Sequence, residues 1–580
     1  MRRFDECYFT TSDNVKLYYK HWVSNIENPD KAIVLFHRGH EHSGRLQHIV
    51  DELQVDNIPL FGWDARGHGM SPGERGYSPS VGRSVLDIDE FIKHISTTYN
   101  IPTENIIIIA QSIGAVSAIT WIHDYAPKIR GLVAASPAFD VKLYVPFAKQ
   151  LIALGEKLWG QFYVNSYVNA KFLTHDEEHI KSYNSDKLIA RPIATNMLLG
   201  LYRTAERVVK DAHAITVPVQ LLISGADCVV NQRPIYEFYD NLGSEIKEKY
   251  FLPGFYHDTL GEKDRQHVIE KIREFIEKLY SMPLYKHDYI NDDRWSVNAD
   301  TLRTLQNGPE CCCKKKYYET LAFCLKTFGW LSDGLALGLE TGFDSGSSLD
   351  YVYKNKPSGK FLIGKLMDKI YLDSTGWKGI RERKINIEKI IKEAIDFLKK
   401  ENKPVKILDI AAGHGRYVLE AVQDIEGIEN ILLRDFSDIN VEKGRNLIEE
   451  KGIGDKVRFE KGDAFDENSL AQVEPHPTLG IVSGLYELFP ENQPIRNSLK
   501  GLSRAVEDGG YLVYTNQPWH PQLEFIARVL TSHRAGQPWA MRCRTQAEMD
   551  ALVDEAGFEK IKQLCDEDGI FTVSIARKRG

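Results

Sequence analysis

The 580-residue chain is short of several things, and each shortage excludes a class of protein. It has only eight cysteines, with no two C-x-x-C pairs, which is too sparse for a disulfide framework and poor spacing for zinc. Reduced thiols and no bound metal follow as the expectation. No apolar run approaches the roughly 18 residues that span a bilayer. Positive charge is not in excess: 73 Lys and Arg face 81 Asp and Glu, a formal net charge of -8. A nucleic-acid binder usually carries a basic face, so that partner is not expected. The first residues, "MRRFDECYFTTSDN", begin basic but lack an apolar h-region, so the expected location is the cytoplasm.

The composition that remains is globular, with 43% hydrophobic and 27% charged residues. Length alone allows three or four domains, or two large ones. One cluster stands apart: Cys311, Cys312 and Cys313 are followed by Lys314, Lys315 and Lys316. Such a group is either a lipidated, membrane-attracted segment or an ordinary surface linker.

In the first half, short apolar runs end in turn residues: "KAIVLFHRGH", "NIPLFGWDARGHGMS", "NIIIIAQS", "IRGLVAASPAF" and "VPVQLLISGAD". Buried strands alternating with helices predict a mostly parallel sheet covered on both faces. Ligand chemistry in such sheets gathers at the carboxyl ends of the strands. Three polar residues fall at those ends in the order Ser112, Asp227, His257. A serine, an acid and a histidine in that order suit a nucleophile, an orienting carboxylate and a general base. The Ser112 turn reads "AQSIGA", with Ala110 where a G-x-S-x-G elbow has its first glycine.

Together with "HRGHEHSGR" (37–45), "GWDARGHGMSPGERG" (62–76), "SGADCVV" (224–230) and "GFYHDTLGE" (254–262), these residues resemble the monoacylglycerol-lipase and lysophospholipase branch of the α/β-hydrolases. The resemblance covers about residues 1–285. It implies a serine ester hydrolase working through an acyl-enzyme, with Ser112, Asp227 and His257 catalytic. It also implies an oxyanion hole from the backbone N–H groups of Gly39 and Ile113, and a helical cap at about 140–213 closing over a lipid-like ester. The apolar cap and the Cys–Lys cluster would bring peripheral contact with the inner membrane face. Arg38 departs from the pattern, standing where the family has glycine. Either it contacts a substrate phosphate or carboxylate, or it faces solvent. His68 is expected to pack rather than react.

Polar sequence at 286–310 reads as a linker, and 311–400 as a helical extension, with apolar positions at i, i+3, i+4 and i+7. "KPVKILDIAAGHGRYVLEAV" then predicts strand, glycine turn and helix. "ENILLRDFS", "VRFEKGDAFD", "TLGIVSGLYELF" and "GGYLVYTNQPWH" supply further strands, and "AGFEKIKQLCDEDGIFTVSIARK" a terminal pair. This order resembles the class I S-adenosylmethionine-dependent methyltransferases, with the methyltransferase domain proper at 401–580. Asp409, Gly413 and Gly415 match the first motif, with Ala411 in place of its first glycine. Asp435 matches the ribose-binding acid, and Asp463 with Ala464 the adenine segment. The resemblance implies S-adenosylmethionine as cofactor and a seven-stranded Rossmann-like sheet. An NAD-binding dehydrogenase is the lesser alternative. Tyr486, Glu487 and His520 follow the fourth and fifth strands, where the methyl acceptor would lie. Arg381 and Arg383 either pair with the cofactor carboxylate or start a solvated helix.

The expected whole is a two-domain α/β protein, a bifunctional enzyme of lipid metabolism. Two alternatives stand beside it: a serine hydrolase with a regulatory S-adenosylmethionine-binding domain, and a membrane-surface scaffold. The sequence leaves acyl chain, headgroup, methyl acceptor and oligomeric state open.

Overall fold

The computed structural model of the chain describes residues 2–309, 311–532 and 538–580. It divides into two compact units, Met1–His287 and Asp288–Gly580.

The first unit is built on an eight-stranded sheet ordered β1-β2-β4-β3-β5-β6-β9-β10. Its strands are β1 (Phe4–Thr10), β2 (Lys16–Trp22), β3 (Ala32–Phe36), β4 (Leu60–Trp63), β5 (Ile106–Gln111), β6 (Gly131–Ala135), β9 (Val219–Ser224) and β10 (Lys247–Leu252). A separate two-stranded ribbon pairs β7 (Tyr163–Asn165) with β8 (Pro192–Ala194). From β4 to β10 neighbouring strands run parallel, while β1 and β2 join antiparallel. This is the α/β-hydrolase sheet that the apolar runs led us to expect. The isoleucine run shows why it folds so. Ile106, Ile108 and Ala110 face one hydrophobic core, and Ile107 and Ile109 face the other. A strand's side chains alternate between faces, so a run apolar at every position fits only a sheet covered on both sides. Each fully buried isoleucine contributes about 1.5–3 kcal/mol of transfer free energy.

Two sheet elements had no such run to announce them. The β1–β2 hairpin and the edge strand β10 carry Lys and Glu among their apolar residues, and each leaves part of its length half-exposed. Between β6 and β9 lies the cap, comprising the helices Ala148–Trp159, Glu177–Ser185 and Thr195–Lys210 with the β7–β8 ribbon.

The second unit holds a seven-stranded sheet ordered β13-β12-β11-β14-β15-β17-β16. Its strands are β11 (Val405–Asp409), β12 (Ile428–Asp435), β13 (Val457–Lys461), β14 (Leu479–Val482), β15 (Tyr511–Asn516), β16 (Phe558–Cys565) and β17 (Thr572–Lys578). All neighbours are parallel except β17, which runs antiparallel to β15 and β16. The terminal antiparallel insertion is the feature expected of a methyltransferase sheet and not of an NAD-binding one.

Helices precede this sheet: Cys312–Phe328, Asp333–Thr341, Gly346–Lys354, Phe361–Leu372 and the 26-residue Thr375–Lys400. The last buries Ile387, Ile390, Ile391, Ala394 and Leu398 along one stripe. The stretch expected as a linker, 286–310, holds secondary structure among its described residues. It carries the helices Asp292–Trp295 and Val297–Asn307, and Ala299, Leu302 and Leu305 are buried. Asn492 anchors this stretch, its N–H donating to Asp293 and its side-chain amide to the Ile290 carbonyl. Among the described residues no helix is long and apolar enough to cross a membrane.

Candidate active sites

β5 delivers Ser112 directly to the helix Ile113–Tyr125. Ser112 has φ 56° and ψ -120°, a strained backbone for a residue with a side chain. A strand turning into a helix within one residue needs that geometry, and it lifts the serine hydroxyl off the end of the sheet. The Ser112 hydroxyl donates to His257 Nε2 at 2.7 Å. His257 Nδ1 donates to Asp227 Oδ2 at 2.8 Å. Asp227 Oδ1 accepts from the N–H groups of Val229 and Val230 at 2.7 and 3.0 Å. Burial pushes the Asp227 carboxyl up, but the facing His257 and those hydrogen bonds outweigh it and leave it below the ordinary value. All three side chains are buried. The arrangement can remove a proton from Ser112 and hold the resulting imidazolium.

The small residues around the turn differ in what they tolerate. A Cβ at Gly114 would lie 2.3 Å from the His37 carbonyl oxygen, so glycine is required there. Ala110 sits in β5 opposite Phe36 and Ala134, and its methyl group is buried without displacing the strand. Gly39 lies against Ile113, whose Cδ1 would be 2.7 Å from an added Cβ. With Ser112, His257 and Arg38 these two residues line a cavity of about 200 Å³. Ile113 opens its helix, where first-turn N–H groups have no helical partner.

Arg38 does not face solvent, and that sequence reading is corrected: its guanidinium is paired with carboxylates of the protein. It is 4% exposed, donates to both Glu41 oxygens at 2.8 and 2.7 Å, and lies 3.1 Å from Asp258. Glu41 also accepts from Arg45, at 2.8 Å. Asp258 in turn accepts from Gln111, the residue before the serine, at 3.1 Å. Burial would raise Asp258, yet Arg38, His179 and His48 hold its carboxyl at about 2. His68 donates to or accepts from no triad member; its Nδ1 faces the Arg66 carbonyl at 3.0 Å.

Apolar residues of the cap complete the wall of the serine cavity, among them Ile152, Val164, Val168, Leu173 and Leu198. The cap helix Ala148–Trp159 turns Leu151, Leu154, Leu158 and Trp159 outward, all exposed.

In the second unit, β11 ends at Asp409 and the loop to Arg416 carries the glycines. Gly413 and Gly415 have φ 58° and 74°, left-handed values that favour glycine. A Cβ on Gly413 would meet nothing within 4 Å, so its backbone borders open space. The Gly413 N–H donates to Asp435 Oδ2 at 2.9 Å; Asp435 Oδ1 accepts from the Ser437 N–H and Asn440 Nδ2 at 2.9 and 3.0 Å. Asp435 at the end of β12 therefore shapes the loop and keeps spare acceptor capacity for a hydroxyl. Asp409 is fully buried, accepts from the Tyr417 hydroxyl at 2.5 Å and from the Ala411 N–H at 3.2 Å. Burial pushes its carboxyl up to about 7. Asp463 is exposed and caps its own turn through the Phe465 N–H, while Ala464 is buried. This open, glycine-lined loop with an acid at the end of the next strand fits a nucleoside with a compact zwitterionic tail.

Sequence reasoning missed what covers the loop. Asp350, in the helix Gly346–Lys354, lies 3.2 Å from His414 Nδ1 and 3.5 Å from Arg416. A Cβ on Gly346 would lie 3.7 Å from His414 Nε2. A lone Asp in a helical stretch gave no signal of this.

The three residues read as a methyl-acceptor site separate. Tyr486 is a correction: it is buried in the core with its hydroxyl on Ser498 Oγ at 2.9 Å. Its aromatic ring is spent on packing. Glu487 and His520 line one cavity of about 630 Å³. Glu487 Oε1 accepts from Thr515 Oγ1 at 2.8 Å, and Oε2 is buried with no hydrogen-bond partner. Arg383 also lines this cavity, 3.6 Å from Glu487, and Phe571 stacks beneath its guanidinium. The reading of Arg383 as part of a solvated helix start is overturned, since it is buried in the middle of Thr375–Lys400. His520 is buried, which pushes its imidazole down to about 4. Cys311, Cys312 and Cys313 are exposed at the start of the helix Cys312–Phe328, and Lys314 pairs with Glu524 at 2.6 Å.

Residues 272–578 match the model of a family described as "Putative methyltransferase", and residues 27–264 match that of "Serine aminopeptidase, S33". An uncharacterized protein of Escherichia coli (strain K12), YnbC, is 54% identical over 575 residues, covering 99% of this chain and 98% of its own. Phospholipase YtpA of Bacillus subtilis (strain 168) is 23% identical over 260 residues, 44% of this chain and 99% of the relative. A monoacylglycerol lipase of Mycolicibacterium smegmatis is 22% identical over 277 residues, 46% of this chain and 95% of the relative. The first family match spans more than half of the chain, and the Escherichia coli relative spans nearly all of it. The chain therefore belongs to that methyltransferase family, as an enzyme in which an α/β-hydrolase domain precedes the methyltransferase domain.

Proposed function

We propose that the chain is a bifunctional enzyme of lipid metabolism, a serine ester hydrolase joined to an S-adenosylmethionine-dependent methyltransferase. In the first activity Ser112 attacks the ester carbonyl while His257 takes its proton, with Asp227 holding the imidazole. The N–H groups of Gly39 and Ile113 receive the oxyanion. The observation that carries this reading is the unbroken hydrogen-bonded series Ser112–His257–Asp227 on a strained turn.

The match to an aminopeptidase family raises a competing substrate. An aminopeptidase must neutralise the ammonium of its peptide, and that needs a carboxylate in the pocket. Among the described residues no Asp or Glu lines the serine cavity, and most of its wall is aliphatic or aromatic. An acyl ester suits that wall, in keeping with the lipase and phospholipase relatives.

For the second activity, the loop from Asp409 to Gly415 would hold the methionine end of the cofactor, Asp435 the ribose hydroxyls, and Asp463 with Ala464 the adenine. The open face of Gly413 supports this. When bound, the cofactor supplies an electrophilic methyl group.

The test is a fluorophosphonate probe and a p-nitrophenyl ester series on the purified chain, beside calorimetric titration with S-adenosylmethionine. Labelling that persists in Ser112→Ala, or an absence of cofactor binding, would refute the corresponding half.

A further inference from the structure

The helix Phe361–Leu372 has one side that the fold uses and one that it leaves bare. Gly364, Asp368 and Leu372, spaced four apart, are buried against the rest of the second unit. Asp368 is spent there, accepting from the Ser332 and Tyr351 hydroxyls at 2.6 Å each and from the Gly334 N–H at 2.9 Å. Leu362, Ile363, Leu366 and Ile370 share an arc on the other side and are 87%, 58%, 58% and 65% exposed. A single exposed leucine is ordinary, whereas an adjoining row of four marks an interaction site.

Between the buried stripe and that arc stand Lys365 and Lys369, both exposed. With Asp368 buried, every charge this helix shows to solvent is positive. The neighbouring elements continue the pattern. The Lys360 N–H donates to the Leu331 carbonyl at 2.7 Å, and the Lys360 ammonium lies 4.6 Å from the centre of the half-exposed Trp330 ring. On the helix Cys312–Phe328, Phe323 and Phe328 are exposed, as are Lys315, Lys316 and Lys326. Glu319 is that helix's single acid. This excess of cations stands on a chain whose formal net charge is -8.

Charge and apolarity together select the partner. The core of a protein interface is depleted in lysine. Leucine and aromatic residues on one face, with lysines beside them, are the pattern of a helix lying in a bilayer interface. The lysine stems bury along the apolar layer while the ammonium groups reach anionic phosphates. The cavity of about 630 Å³ opens on the same face, since Cys324, Phe328 and Ile370 line it and are themselves exposed. Behind that rim its wall is apolar, with Leu325, Leu335, Leu349, Trp377 and Ile380. An apolar mouth with a cationic surround matches lipid tails beneath anionic headgroups.

We propose that this face docks the second unit on an anionic lipid bilayer. Leu362, Leu366 and Ile370 enter the acyl boundary, and Lys365 and Lys369 meet the lipid phosphates. The mouth of the cavity then opens onto lipid tails. Every residue of this surface belongs to the second unit, and the inference depends on neither catalytic activity.

The experiment is co-sedimentation of the full chain with vesicles of phosphatidylcholine alone and of phosphatidylcholine with phosphatidylglycerol in equal parts. Binding is expected on the anionic vesicles and should weaken as salt is raised. Lys365→Glu combined with Lys369→Glu should lower the affinity about tenfold or more. Leu362→Asp combined with Leu366→Asp should lower it by at least about tenfold, while Leu362→Phe with Leu366→Phe retains it. These side chains are exposed, so the variants should melt as the parent does, and circular dichroism checks this. The proposal is overturned if anionic vesicles are not bound, or if neutral vesicles are bound equally well. Binding indifferent to both pairs of substitutions in folded protein overturns it too, and moves the contact to another surface such as the cap. Self-association of the lipid-free chain that Leu362→Asp with Leu366→Asp abolishes, without vesicle binding, overturns it in favour of a second copy as the occupant.

Discussion

Arg38 and Asp258 form an ion pair at 3.1 Å beneath the surface of the first unit, each less than a tenth exposed. The pair ties the loop after β3, which carries Gly39, to the loop that carries His257. Through Gln111 it also reaches the residue before Ser112. The position where the lipase resemblance led us to expect glycine here holds a clamp.

Removing the clamp should be expensive. Arg38→Gly leaves Asp258 buried without its guanidinium partner and Glu41 with Arg45 alone, a loss of about 3–5 kcal/mol. Thermal unfolding should show a drop of several degrees, and kcat/KM for a p-nitrophenyl ester should fall with it. A double variant, Arg38→Gly with Asp258→Asn, should recover part of the stability.

The two small residues of the serine turn should respond differently. Ala110→Gly should cost about 0.5–1 kcal/mol in the strand and leave fluorophosphonate labelling intact. Gly114→Ala places a methyl 2.3 Å from the His37 carbonyl and should abolish labelling or folding. Equal behaviour of the pair would refute the packing argument.

Asp409 predicts a pH dependence. Its folded pKa is about 7, above the unfolded value of about 4, so between these the native state holds the extra proton. Stability contributed by the protonated form is therefore present below about pH 4 and lost as pH rises to about 7, by a few kcal/mol. Asp409→Asn removes this term. The melting temperature of the wild type relative to the variant should fall across that window and level off above it.

Asp435→Ala removes the acceptor of the Gly413 N–H and the proposed ribose partner together. Affinity for S-adenosylmethionine should drop at least about tenfold by calorimetry. Ester hydrolysis by the same protein should be unchanged, since Ser112 lies in the other unit.

Much of this was legible in the sequence because buried parallel strands write themselves as unbroken apolar runs. β3, β5 and β9 each ended on the loop that carries a candidate residue, and β11 and β12 did the same for the glycine loop. The β1–β2 hairpin and β10 were illegible for the opposite reason, since strands at or next to the sheet's edges dilute their apolar residues with Lys and Glu. Arg38 was visible as an anomaly and Glu41 lies only three residues on, but its other partner, Asp258, is on a distant loop that only folding brings to it. Tyr486 and Glu487 are neighbours in sequence with opposite fates. One side chain enters the core and the other the cavity, and a short helical turn decides between them.

The helix Gly346–Lys354 sets Asp350 on His414 and Arg416, more than fifty residues before the first strand of its sheet. Anyone cutting the chain at the sheet's own start, near residue 401, would keep all seven strands and every glycine of the loop. The excised piece would have no roof over that loop and would lack Trp377, Ile380 and Arg383, which line one cavity with Glu487. The smallest transplantable methyltransferase thus begins well upstream of its motif, and a fragment tailored to the motif alone would be a sheet with an open door.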